Sequence, residues 1–357
     1  MNAYLRAREN LVRHPRTWLV TGVAGFIGSN LLEELLRLGQ FVIGLDNYST
    51  GSLANLANVR DAVGSASWSR FQQITGDIRI LETCKHACHG VQFVLHQAAL
   101  GSVPRSIANP QETHATNVDG FLNMLIAARD TGIKRFVFAS SSSVYGDSSI
   151  LPAKEDHLGH CLSPYAVTKR VNELYADVFN RNYKLNAIGL RYFNVFGPRQ
   201  DPEGPYAAVI PKWIDSMIHN TPIYINGDGQ TSRDFCYVAN VVQANILAAT
   251  AETSEAANQI YNVALGAKTT LNQLFEFLRE GLLPWYPHLN HCRAIHRDFR
   301  LGDVRHSEAA ISKAVRLLGF EPSHTVPQGI AETLAWYRYY STELPASETQ
   351  KKTEAPA

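Results

Sequence analysis

Apolar and polar positions alternate in short blocks through the first half of the chain, and the pattern then loosens. The blocks Trp18–Thr21, Phe41–Asp46, Phe71–Thr75, Phe93–His96, Arg135–Ser140 and Ala187–Arg191 are each four to six residues long and rich in β-branched or aromatic side chains. That pattern predicts strands. Between them, Phe26–Leu38, Gln111–Thr131 and Pro164–Arg181 carry apolar residues at helical spacing. Strands that alternate with helices predict an α/β fold, a doubly wound parallel sheet covered on both faces.

Beyond Arg191 the signals change. Pro, Gly and Asp crowd the stretch 197–204, which reads as a long loop, and Ile223–Tyr237 reads as a hairpin around the turn Asn226–Gly229. A helix at Asn240–Thr250, a strand at Gln259–Val263 and short helices near Leu271–Arg279, Ile311–Leu318 and Val326–Tyr340 follow. The organisation expected is a first domain over 17–196 to which 235–265 returns, and a smaller C-terminal lobe from 197–234 and 266–345. Residues 1–16 form an N-terminal extension, and the polar tail 346–357 is expected to be disordered.

Composition narrows the function classes. The 357 residues are 45% hydrophobic and 18% charged, with a formal charge of +1, so no bulk field draws the chain to nucleic acid or acidic membranes. No run approaches the roughly 18 apolar residues of a membrane helix. Five cysteines, an odd number, and no secretion-signal pattern point to reduced thiols and a cytoplasmic protein. Cys84, His86, Cys88 and His89 fall within six residues and lack a second ligand pair, so a short helix is expected there and no metal site.

Two segments carry chemistry. Gly22-Val23-Ala24-Gly25-Phe26-Ile27-Gly28 lies between the first strand and the first helix. Gly22 permits the tight turn, Gly25 the approach of a pyrophosphate to backbone, and Gly28 close helix–strand packing, while the helix N-terminus faces the phosphates. Asp46 follows eighteen positions after Gly28, at a strand end, where a carboxylate accepts both ribose hydroxyls and repels a 2′-phosphate. NAD is therefore expected in preference to NADP, with Asn47, Asp77 and Ile78 bordering its adenosine half. The second segment is Ser163-Pro164-Tyr165-Ala166-Val167-Thr168-Lys169. Ser163 is suited to cap a helix and Pro164 to open it, which places Tyr165 and Lys169 on one face. The ammonium and the positive helix end are expected to lower the phenol's pKa until it can act as a base.

A run of four serines, Ser140 to Ser143, ends the Arg135 strand, where ligands of open parallel sheets collect. The glycine turn, Ala139–Gly146, Tyr165/Lys169 and Arg191-Tyr192-Phe193-Asn194 together resemble the extended short-chain dehydrogenases that modify nucleotide sugars, over Thr17 to Tyr340. The resemblance implies a Rossmann-like domain, with Ser141 as the catalytic hydroxyl, Tyr165 as the base and Lys169 also on the nicotinamide ribose. It further places Gln97, Ala98, Ala99, Asn117 and Tyr192 along the cofactor. On the substrate it implies Asn194 and Arg233 at a diphosphate, and Arg300 and Asp303 at a second phosphate contact and the uridine ribose.

The family's dehydratases and decarboxylases carry carboxylates just after the catalytic hydroxyl, where this chain has Ser142 and Ser143. That leaves reversible oxidation at a sugar carbon, and so a 4-epimerase working through a transient 4-keto sugar. Ser307, seven positions past Arg300, is small where bulk would exclude N-acetylated sugars, and Ser102 and Ser143 are placed to bond an acetamido group. The resemblance thus favours UDP-N-acetylglucosamine and UDP-N-acetylgalactosamine. The uronate analogue, or a dehydratase or decarboxylase, is the alternative, and a non-catalytic NAD sensor is disfavoured because Tyr165 and Lys169 are both kept. It also implies a homodimer through Gln111–Thr131 and Pro164–Arg181, and a setting in surface polysaccharide synthesis.

Overall fold

The computed structural model describes residues 2–202, 207–299 and 304–343. In chain order its first part comprises α1 (Ala3–Arg13), β1 (Thr17–Thr21), α2 (Phe26–Arg37), β2 (Phe41–Asp46), α3 (Leu53–Trp68), β3 (Phe71–Thr75), α4 (Leu81–Cys88) and β4 (Phe93–His96). Then come α5 (Val103–Ala108), α6 (Pro110–His114), α7 (Gly120–Asp130), β5 (Arg135–Ser141), α8 (Pro164–Tyr183) and β6 (Ala187–Tyr192). The second part holds β7 (Val195–Phe196), α9 (Val209–Ile218), β8 (Tyr224–Asn226), β9 (Ser232–Arg233), β10 (Cys236–Tyr237), α10 (Val238–Thr250) and β11 (Ile260–Val263). It ends with β12 (Thr269–Thr270), α11 (Leu271–Leu282), β13 (Ile295–Arg297), α12 (Ser312–Leu318) and α13 (Val326–Glu343).

Among the described residues one parallel sheet has seven strands in the order β11-β6-β5-β4-β1-β2-β3. Alternation along each strand divides the core. Trp18, Val20, Val137 and Ile188 pack with α1, α2 and α10 on one face, while Leu19, Val94, Phe136 and Phe138 pack with α4, α7 and α8 on the other. Strand order reverses between β1 and β4, which opens a crevice at the strands' carboxyl ends. A separate apolar cluster built on Trp213, Phe235, Phe275 and Leu334 fills the second lobe.

Two local expectations differ from the structure. Ile223–Tyr237 is not a hairpin: β8 pairs with β13, β9 with β12 and β10 with β7, so each piece finds a partner distant in sequence. Gln111–Thr131 is interrupted by a π-turn at Ala115–Asp119. The N-terminal extension is a helix, capped by Asn2 and anchored by buried Leu11 and by Tyr4, whose hydroxyl donates to Glu34. The Cys84–Cys88 segment forms the short helix expected, and among the described residues no group of His, Cys, Asp or Glu could hold a metal. No described helix is long and apolar enough to cross a membrane.

Candidate active site

The crevice holds a cavity of about 420 Å³, lined at one end by the glycine turn and at the other by Ser141, Tyr165 and Lys169. Gly22 has φ +67°, its N–H donates to Leu45, and its carbonyl accepts from Gly25, which tightens the turn onto the start of α2. A Cβ on Gly28 would strike the Gly22 backbone, so the side-chain-free path is obligatory here. Asp46 Oδ2 accepts from Ala24 N at 2.8 Å and Oδ1 from Tyr48 N at 2.8 Å, which fixes the carboxylate on the cavity wall with acceptor capacity left for a ribose. These features fit a dinucleotide, with Gly25, Phe26, Ile27 and Gly28 at its phosphates and Asp46, Asn47 and Ile78 along its adenosine half. Asp77 does not line the cavity. Its carboxylate is bonded by Arg79 and by Asn47, bonds that hold it down to about 2.

Further along, Gln97, Ala98, Ala99 and Tyr192 line the wall. The Tyr192 hydroxyl donates to Gln97 and accepts from Asn245, a residue sequence reasoning missed because it sits in a long apolar helix. Asn117 lies outside the lining. It clamps Leu100, accepting from its N–H at 2.7 Å and donating to its carbonyl at 3.0 Å, and it also donates to Thr168 beside Lys169. Ser49, Thr50, Gly51 and Thr116 line the cavity unannounced by any motif, although the Thr-Gly pair after β2 was a turn signal.

At the reacting end Ser163 caps α8, its hydroxyl accepting from Ala166 N, and Tyr165 and Lys169 share one face as expected. Lys169 is buried, and its ammonium donates to the Ala139 carbonyl at 2.9 Å, with Nζ 5.9 Å from the Tyr165 ring centre. Burial pulls the ammonium down to about 8. Ser141 Oγ accepts from Ser143 Oγ at 3.0 Å and from Ser143 N at 3.2 Å, and its hydroxyl bonds the Tyr165 phenol.

One expectation is corrected. In the protein alone the phenol is pushed up, not down, because desolvation outweighs the Ser141 bond, and the lysine charge is directed at Ala139. Ser142 begins a 3-10 turn beside the cavity, and Ser102 caps α5 with φ +92°, its hydroxyl accepting from Arg105 N. Neither residue lines the cavity, and nor do Ser143, Arg233 and Ser307, whereas Asn194 does. Arg233 and Ser307 lie together: Ser307 N and an Arg233 guanidinium N–H both donate to the Ser232 carbonyl. Arg300 and Asp303 fall outside the described residues.

A doubly wound sheet with a glycine turn and a strand-end Asp46 around one crevice, with Tyr165 and Lys169 at its far end, is the arrangement of a dinucleotide-binding enzyme. A family model described as the NAD dependent epimerase/dehydratase family matches residues 18–264, and the chain belongs to that family. It is 36% identical over 322 residues to a putative UDP-glucose 4-epimerase of Methanocaldococcus jannaschii, covering 90% of this chain and 98% of that one. It is 33% identical to a UDP-glucuronate 4-epimerase of Thermodesulfobacterium geofontis, covering 89% and 95%. Among solved structures, a UDP-N-acetylglucosamine 4-epimerase from Methanobrevibacter ruminantium in complex with UDP-N-acetylmuramic acid superposes with TM-score 0.82 at 36% identity, covering 91% of this chain and 99% of that one. NAD is the cofactor of the family.

Proposed function

We propose that this chain is an NAD-dependent 4-epimerase of UDP-sugars, with UDP-N-acetylglucosamine and UDP-N-acetylgalactosamine as its preferred pair. The observation that carries the reading is the hydroxyl chain Ser143–Ser141–Tyr165 at the reacting end of the cavity. It relays protons but has no carboxylate after Ser141 to drive elimination or decarboxylation. When bound, NAD would supply an acceptor for two electrons from the sugar carbon and the same pair for its reduction.

The protein's residues do the rest. Tyr165 receives the C4 hydroxyl proton, directly or through Ser141, and returns it after the 4-keto sugar has turned over. Lys169 holds its charge beside the phenol and orients the nicotinamide ribose, while Tyr192, fixed by Gln97 and Asn245, walls the ring. Turning requires a loosely held sugar on a firmly held nucleotide. Asn194, Arg233, Arg300 and Asp303 are the proposed grip on the uridine diphosphate. Ser102, Ser142, Ser143 and the small Ser307 are proposed at the sugar.

The Thermodesulfobacterium relative, a UDP-glucuronate 4-epimerase, supports a second reading in which the sugar carries a 6-carboxylate, as in UDP-N-acetylglucosaminuronate. The chain is further proposed to act as a homodimer through α8, which exposes Val167, Leu174 and Val178, and to work in the cytoplasm in surface polysaccharide synthesis. The test is incubation of purified protein with UDP-N-acetylglucosamine, its uronate and UDP-glucose, followed by separation of C4 epimers. Interconversion fastest with the N-acetyl sugar supports the reading, and no interconversion of any of the three overturns it.

A further inference from the structure

Arg233 and Asn194 both adjoin Asp234, the first as its chain neighbour and the second through a hydrogen bond. Asp234 is wholly buried, yet among the described residues it forms no ion pair with a basic side chain. Its carboxylate is held by backbone instead. Oδ1 accepts from Leu265 N at 2.9 Å, and Oδ2 accepts from Gly266 N at 3.1 Å and from Ala309 N at 3.2 Å. Its own carbonyl accepts from Asn194 Nδ2 at 3.1 Å.

Four segments therefore meet on one residue. Asn194 follows the end of β6 and lines the cofactor cavity. Leu265 and Gly266 follow β11, the edge strand of the sheet. Ala309 lies two residues beyond Ser307, in the stretch that also meets Ser232 and Ala153. Arg233 adjoins Asp234 directly and belongs to β9, which pairs with β12 just past Gly266.

Without that carboxylate three inward-facing N–H groups would lose their acceptor, and the loops bearing them would relax apart. Desolvation pushes the carboxyl up to about 6 against the pull of those donors, so the arrangement is costly, as is often seen where geometry serves a site.

We infer that Asp234 is a positioning residue for substrate, clasping the end of the large domain to two segments of the second lobe so that Arg233 and Asn194 converge on the nucleoside diphosphate. The inference rests on the reading of this chain as a UDP-sugar enzyme, and it assigns Asp234 no contact with the reacting carbon. Its signature is a loss in binding without a matching loss in chemistry.

The experiment compares wild type with Asp234→Asn, which keeps the shape but replaces one acceptor oxygen with an N–H group facing an N–H donor. UDP alone, titrated calorimetrically into the NAD-loaded protein, is the probe, and kcat and KM are measured in parallel. The variant should bind UDP about tenfold or more weakly and raise KM to match, with kcat held within about threefold and bound NAD unchanged. Unchanged UDP affinity in a folded variant overturns the inference, as does a fall in kcat with KM preserved. Should Asp234→Asn fail to fold, Ala309→Pro removes a single donor to the same carboxylate and is judged by the same criteria. A wild-type protein that binds no UDP refutes the functional reading itself, which separates the two failures.

Discussion

Tyr165 stands half-buried on the cavity wall, with Ser141 bonded to its phenol and Lys169 turned toward Ala139. As the proposed base, Tyr165 has its hydroxyl at the reacting end, so removing it should abolish turnover without loosening the cofactor. Tyr165→Phe is expected to lower kcat by about a thousandfold or more while the purified protein retains its NAD, read from released nucleotide after denaturation. Lys169 sets a second limit. Burial leaves its ammonium charged below about pH 8 and neutral above it. The cation beside the phenol is thus present on the acid side and lost as pH rises, so kcat/KM should fall along an alkaline limb with an apparent pKa near 8. The same depressed value has a defined sign for stability: between about 8 and the ordinary lysine range the unfolded chain binds more protons, so stability from this group increases with pH there. Lys169→Met should lose the alkaline limb along with most of the activity, and a limb that survives unchanged assigns it elsewhere.

At the scale of elements, α8 is tied to β5 and β6 by a buried ion pair one turn past Lys169. Glu173 accepts from Arg191 at 2.8 and 2.9 Å, from Ser140 at 2.6 Å and from Arg170 at 2.9 Å, and Arg191 also donates to the Tyr145 hydroxyl. Since both members are almost fully buried, Glu173→Gln would strand the Arg191 guanidinium, and denaturant unfolding should register a loss of about 3–5 kcal/mol. The central strands were legible because alternation and β-branched content are local properties: Phe41–Asp46, Phe71–Thr75 and Phe93–His96 end where the pattern placed them. Elements whose signals are weak or relational escaped. In α3 the apolar face is diluted by Ala and Asn and broken at Gly64, and α9 hides behind Pro211, which its first turn tolerates. In α1 the spacing of Tyr4, Ala7 and Leu11 after Asn2 did carry a signal. The two-residue strands β7, β9, β10 and β12 exist only through partners far along the chain, which no local pattern reveals.

For the whole molecule, the sheet and the second lobe meet over the crevice, and this division explains what could be read of the site. The glycine turn, Asp46, Tyr165 and Lys169 are fixed by a strand end and a helix start, so their placement followed from sequence spacing. The polar supports Asn245 and Asp234 became visible only when distant segments came together, and Asn117, expected along the cofactor, proved to clamp Leu100 instead. Quaternary structure adds a further expectation. The exposed Val167, Leu174 and Val178 stripe of α8 suits a self-complementary contact. Light scattering on an eluting peak should give the mass of two chains for wild type and of one for Leu174→Glu, and a monomeric wild type would discard the dimer.

Leu100 is gripped through both of its backbone groups by Asn117, whereas Gly101 just beyond it is exposed. The clamp fixes where the following segment begins, and Ser102 then caps α5, whose Ser106 is buried. A segment exchanged from Gly101 to Ser106 would thus start from a fixed point and leave the cavity wall upstream of it in place.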